Sequence, residues 1–131
     1  MFSFLSKEPI HKGWSGDKKY CATATDGKKY LLRVSPFEQY SRKKDEYDLM
    51  VQAAALDIPM CLPLEFGSSE EGVYSIQSWI DGEDAEQVLL SYSDTEQYVY
   101  GLEAGRILRK IHSIPAPATQ EDWEIRFDKV E

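Results

Sequence analysis

Cysteine is scarce in this chain: Cys21 and Cys61 are the only two in 131 residues. That is too few for a disulfide scaffold, and neither their spacing nor that of His11 and His112 matches a zinc pattern. Both cysteines read as small strand residues, and the expected compartment is the reducing cytoplasm. Basic residues are also in deficit. Fifteen Lys and Arg against 23 Asp and Glu leave a net charge of −8. Such a chain is repelled by phosphate backbones and anionic surfaces, so neither nucleic acid nor a membrane is an expected partner. No apolar run reaches the length of a membrane span. Residues Met1 to Leu5 lack the basic leader and long apolar stretch of a secretory signal. There is no internal repeat, no low-complexity tract and no G-x-x-x-x-G-K-[ST] sequence, which excludes a Walker-type phosphate loop.

What is present is ordinary globular material, 42% apolar and 29% charged, with enough apolar surface for a core. The first third alternates as strands do. Lys19 to Thr25 and Lys28 to Val34 flank Asp26-Gly27, a strong hairpin signal. In the second of these strands Tyr30, Leu32 and Val34 share one face, and Lys29, Leu31 and Arg33 share the other. The turn Gly13-Trp14-Ser15-Gly16-Asp17 follows an earlier strand. Ser35-Pro36 with Glu38 forms a capping box with proline at the first helical position, predicting a helix to about Leu56, before Pro59. Strands are expected at about Leu62 to Gly67 and Val73 to Ile80, joined by the polar turn Ser68 to Gly72. Helices follow: a short one over Ala85 to Leu90, then one from Asp94 to about His112, capped by Ser93 and Glu96. The order predicts an α+β fold, a five-stranded antiparallel sheet packed by one helix and followed by further helices. Alternating strand–helix units are absent, which disfavours a doubly wound fold.

Glu46 is the most informative residue. At 100° per residue it falls in the same arc as Tyr47, Leu49, Met50, Ala53, Ala54 and Leu56, although Arg42 and Lys43 also lie on that side. A carboxylate in an apolar arc needs a cation, and Arg33, in the strand just before the helix, is the natural partner. A strand cation paired with a helix glutamate is how protein kinases hold ATP phosphates. A structural ion pair with no ligand is an equal reading of the pattern.

The stretches W-S-G-D-K-K-Y, K-K-Y-L-L-R-V-S, E-Y-D-L-M, I-P-M-C-L-P, Y-S-I-Q-S-W-I-D-G-E and A-G-R-I-L-R-K-I-H-S-I-P, from about residue 10 to 117, resemble the amino-terminal part of the aminoglycoside phosphotransferases. These share the protein-kinase fold and are related to choline and fructosamine kinases. The resemblance implies a kinase-like lobe over residues 1–82 and the first helices of a second lobe over 83–131. It implies ATP or GTP with Mg2+ as cofactor in the full-length parent and a small-molecule hydroxyl as acceptor. Ser15 and Gly16 would cover the triphosphate, Arg33 would hold the α and β phosphates, and Glu46 would orient Arg33. Leu31 would line the adenine pocket, and backbone groups of the hinge, at Ser78 and Ile80, would bond the base.

Two departures accompany it. Arg33 stands where the family usually has Lys, and no H-G-D-x-x-x-x-N catalytic loop or later metal-binding Asp occurs. His112 matches the family's helix-end histidine and reads as a packed structural residue. No catalytic or metal-binding residue is therefore assigned, and the 131 residues alone are expected to be inactive. Trp123, Ile125 and Phe127 have no evident partner, so a truncated parent and self-association are expected. Two alternatives stay open: a stand-alone non-catalytic nucleotide-binding or interaction module, and an interaction domain whose Arg33–Glu46 pair is only structural.

Overall fold

The Asp26-Gly27 turn folds as its chemistry dictates. Gly27 takes φ 86°, a left-handed conformation that costs glycine little. The Asp26 side chain accepts from the Lys28 amide (3.0 Å), and the Gly27 amide donates to the Ala24 carbonyl (3.0 Å). The turn joins β2 (Lys18–Ala24) to β3 (Lys29–Ser35). With β1 (Phe4–Ile10), β4 (Pro63–Ser69) and β5 (Gly72–Ser78), these make one antiparallel sheet ordered β1-β2-β3-β5-β4. This computed structural model describes residues 3–116 and Glu124. Trp123, Ile125 and Phe127 lie outside the described residues.

The sheet has two unlike faces. Ala22, Leu32, Val34 and Ile76 form the buried cluster on one, roofed by Phe4, Tyr20, Tyr30 and Tyr74. The Phe4 and Tyr30 rings meet at 6.0 Å. The strand register sets the other face. One row runs Glu8, Cys21, Leu31, Gln77 and Pro63, and the next runs Ile10, Lys19, Arg33, Ser75 and Phe66. The split of Tyr30, Leu32 and Val34 from Leu31 and Arg33 is as the alternation predicts. The β4–β5 turn depends on Gly72, at φ 139°, where a Cβ would strike the Ser35 carbonyl oxygen.

Helix α1 (Tyr40–Ala54) packs on the Arg33 face. Its anchor is aromatic: Tyr40 and Tyr47 each place a ring 5.4 Å from that of Phe66 on β4. The predicted capping box at Ser35 and Glu38 does not form. Ser35 still belongs to β3, and Pro36 precedes a 3-10 turn over Phe37–Gln39 with no side-chain cap. The Ser35 hydroxyl is buried and donates instead to Asp17 (2.9 Å). A buried donor gains more from a carboxylate than from an exposed helix end. The helix also stops two residues before the expected Leu56.

After β5 come α2 (Ala85–Val88), with Asp84 accepting from the Glu86 amide, and α3 (Asp94–Ile111). The capping box at Ser93 and Glu96 does form, with both reciprocal bonds present. His112 caps α3, its amide donating to Leu108, but the side chain is exposed rather than packed as expected. Tyr98, Val99, Tyr100, Leu102 and Leu108 of α3 are exposed as well. Among the described residues no helix is long and apolar enough to cross a membrane.

Candidate functional site

The strand register and the seat of α1 bring four charged side chains into one line: Arg33, Asp17, Lys43 and Glu46. Asp17, at the end of the loop after β1, is the hub, and its side chain is only 7% exposed. Arg33 Nη2 lies 3.3 Å from its Oδ2, and Lys43 Nζ of α1 lies 3.0 Å from Oδ1 and 3.1 Å from Oδ2. The Ser35 hydroxyl also donates to Asp17 Oδ1. Lys43 also reaches Glu46 at 3.2 Å, one helical turn on. The four charges alternate in sign from β3, through the loop, to the helix.

Burial alone would raise the Asp17 carboxyl. The hydrogen bonds from Lys43 and Ser35, with the nearby charges of Lys43 and Arg33, outweigh it and hold Asp17 below its ordinary value. The carboxylate is thus the fixed anion of the site. It ties three separate segments, because its donors come from β3 and α1 while its backbone belongs to the loop.

The expected direct pair of Arg33 with Glu46 is not what forms. Glu46 pairs with Arg42 (3.2 Å) and Lys43 on its own helix, and its side chain is 46% exposed. Arg33 turns instead to Asp17 and donates to Ser15 Oγ at 3.1 Å. The physical reason is proximity. A carboxylate with cations three and four residues back on its helix satisfies itself locally. The buried Asp17 has the larger need for a guanidinium. Glu46 still lines the same cleft as Arg33, with Lys43 between them.

Other expected site residues fall as follows. Ser15 meets Arg33 directly. Gly16 is open, with nothing within 4 Å of where a Cβ would stand. Leu31 sits one row along from Arg33, between Cys21 and Gln77. Ser78 closes β5, and its amide donates to the Leu62 carbonyl (2.9 Å) while its hydroxyl accepts from the Leu62 amide (2.7 Å). Beyond it, Trp79 Nε1 donates to Asp81 (3.0 Å), and Ile80 is exposed. Leu31 and Ser78 are thus close, on paired strands, while Ser15 and Arg33 lie toward the loop end.

Two spaces adjoin this line of charges. The cleft between sheet and α1, lined by Asp17, Arg33, Lys43, Glu46, Met50 and Phe66 among others, has a volume of about 80 Å3. It is too small for a nucleotide. The groove under the loop, reached by Gly13, Ser15, Asp17 and Lys19, is about 390 Å3, within the range of small-molecule sites. Asp17 borders both. Among the described residues no three His, Cys, Asp or Glu side chains converge as metal ligands would.

Sequence reasoning missed Asp17, Lys43 and Ser35. The available signals were faint. Lys43 lies three residues before Glu46, and Asp17 reads as a turn residue until the β2–β3 register is known.

A sequence model of the phosphotransferase enzyme family matches residues 7–129 of the chain. The comparison with curated proteins gave no match.

The replacement Asp17→Asn leaves Lys43 and Arg33 without their shared countercharge. It should destabilise the fold by about 1–3 kcal/mol at pH 7, the scale for a lost partner at a largely buried polar group. The folded pKa of Asp17 is lowered. Its stabilisation is therefore present above the ordinary carboxyl value of 3.8 and is lost as pH falls through the lowered value. Urea unfolding of both proteins from pH 7 to pH 2.5 should show the stability gap shrinking only below about pH 4. A gap independent of pH would contradict the assigned charge on Asp17.

Proposed function

We propose, from the premise that this chain belongs to the phosphotransferase enzyme family, that its sheet and α1 bind the nucleotide donor. The parent enzyme would transfer the γ-phosphate of ATP or GTP to a hydroxyl of a small molecule, as in the aminoglycoside kinases that the sequence resembles. The observation that carries this reading is the Ser15–Arg33 hydrogen bond. It joins the strand guanidinium to a loop hydroxyl that lines the 390 Å3 groove.

In this reading Arg33 holds phosphate oxygens through its planar fork. Asp17, rather than Glu46, fixes the guanidinium, and Glu46 acts one step removed, through Lys43. Ser15 and Gly16 cover the phosphates with a hydroxyl and a backbone that nothing obstructs. Leu31 forms the floor beneath the base. Ser78, whose amide is committed to Leu62, serves the base through its carbonyl, and Ile80 serves it through its amide. Mg2+ would neutralise the triphosphate and travel with it. Residues 1–82 would form the donor lobe and residues 83–131 would lead toward the acceptor lobe.

Phosphoryl transfer also needs a base or orienting carboxylate and metal-holding groups. The 131 residues contain no H-G-D-x-x-x-x-N sequence, so this chain alone binds donor without turning it over. A cytoplasmic setting fits that role. The exposed apolar residues of α3 support self-association or docking with further structure.

Calorimetric titration with ATP and Mg2+ tests the binding site. The wild type should bind, and Arg33→Ala should weaken binding by about tenfold or more, the scale of one charge-assisted contact. Equal affinity in the two proteins removes Arg33 from the site. A coupled ADP-release assay with aminoglycosides should stay at background, and clear turnover would contradict the inactivity. Light scattering should show a dimer or larger species at high concentration, and a clean monomer would remove self-association from the proposal.

A further inference from the structure

Lys19 of β2 is directly opposite Arg33 of β3 in the strand register, on the same face of the sheet. Like charges so placed repel. Arg33 has Asp17 as its countercharge, but among the described residues Lys19 pairs with no carboxylate. Its ammonium donates instead to the Lys12 carbonyl, in the loop above. Residue 13 of that loop is a glycine in a left-handed conformation that other residues rarely adopt. Gly13 has φ 102°, and a Cβ there would collide with the end of the Lys19 side chain. Lys19 is half-buried and borders the 390 Å3 groove together with Gly13, Ser15 and Asp17.

Two adjacent cations with one countercharge between them, in a chain of net charge −8, form a local site for a multivalent anion. We propose that Lys19 is a second phosphate-binding residue, which exchanges the Lys12 carbonyl for an oxygen of the nucleotide's polyphosphate chain while Arg33 holds a neighbouring phosphate. The inference rests on the donor-binding reading above and deepens it. A carbonyl dipole is a weaker partner for an ammonium than a phosphate oxygen is, so the exchange is favourable. Because Lys19 contacts phosphate only, its contribution is to nucleoside polyphosphates and inorganic polyphosphate, not to nucleosides.

The test uses the whole 131-residue chain with a fluorescent ATP analogue and Mg2+, displaced in turn by ATP, inorganic tripolyphosphate and adenosine. Lys19→Met should weaken ATP and tripolyphosphate about tenfold, the ratio of one such contact, and flatten their salt dependence. Adenosine displacement should be unchanged, and Lys19→Arg should restore ATP affinity to within about threefold, since it keeps the charge. Thermal unfolding of each variant checks its fold, and Lys19→Gln replaces Lys19→Met if the latter unfolds. ATP affinity unchanged in Lys19→Met but lost in Arg33→Ala overturns the inference and leaves the donor-binding reading standing. Equal loss of ATP and adenosine also overturns it. Absence of binding by the wild type overturns the reading itself and the inference with it.

Discussion

The carboxylate of Asp17 is the constraint on which the site depends. It is almost wholly buried, and a buried carboxylate is tolerated only where donors replace its water. Here the donors are Ser35 on β3 and Lys43 on α1, with the Arg33 guanidinium as a further countercharge. Meeting that one requirement fixes the loop over the sheet, the start of the helix against the strand, and the direction of the guanidinium. The aromatic contacts of Tyr40 and Tyr47 with Phe66 hold α1 to β4 by apolar burial, which is strong but tolerant of small rotations. The charge line supplies the angular precision that packing does not.

Much of the fold was legible because it rests on local chemistry. The Asp26-Gly27 turn, the alternation through Tyr30 to Val34 and the Ser93–Glu96 box each specify their structure from neighbouring residues alone. The failures have a common physical origin. Ser35 carries the pattern of a helix cap, yet its hydroxyl goes to a carboxylate 18 positions earlier in the chain. Glu46 falls in an apolar arc on the helical wheel, but a wheel does not show which part of that arc meets the sheet. Leu49, in the same arc, is 43% exposed, and the Glu46 side chain 46%. Asp17 was invisible for the same reason, since turn aspartates ordinarily satisfy nearby backbone.

Family membership and geometry carry different parts of the functional account. The match over residues 7–129 makes this a phosphotransferase-type chain, in agreement with the resemblance read from its motifs. The geometry adds how the Arg33 site is organised: a strand guanidinium set by a loop aspartate, with the helix glutamate reaching it through a lysine. That arrangement also accounts for an arginine in place of the family's usual lysine. A guanidinium can contact Asp17 and Ser15 together and still present other N–H groups to phosphate.

The central claim, that the Arg33 face binds a nucleotide while the aromatic-roofed face does not, is tested most directly by following backbone amide resonances during titration with ADP and Mg2+. The account predicts shifts that cluster at Ser15, Gly16, Lys19, Leu31, Arg33 and Ile80, with Ala22, Leu32 and Ile76 smaller in response. Shifts confined to α3 or to the Ala22–Leu32 face, or no shifts at millimolar nucleotide, would contradict it.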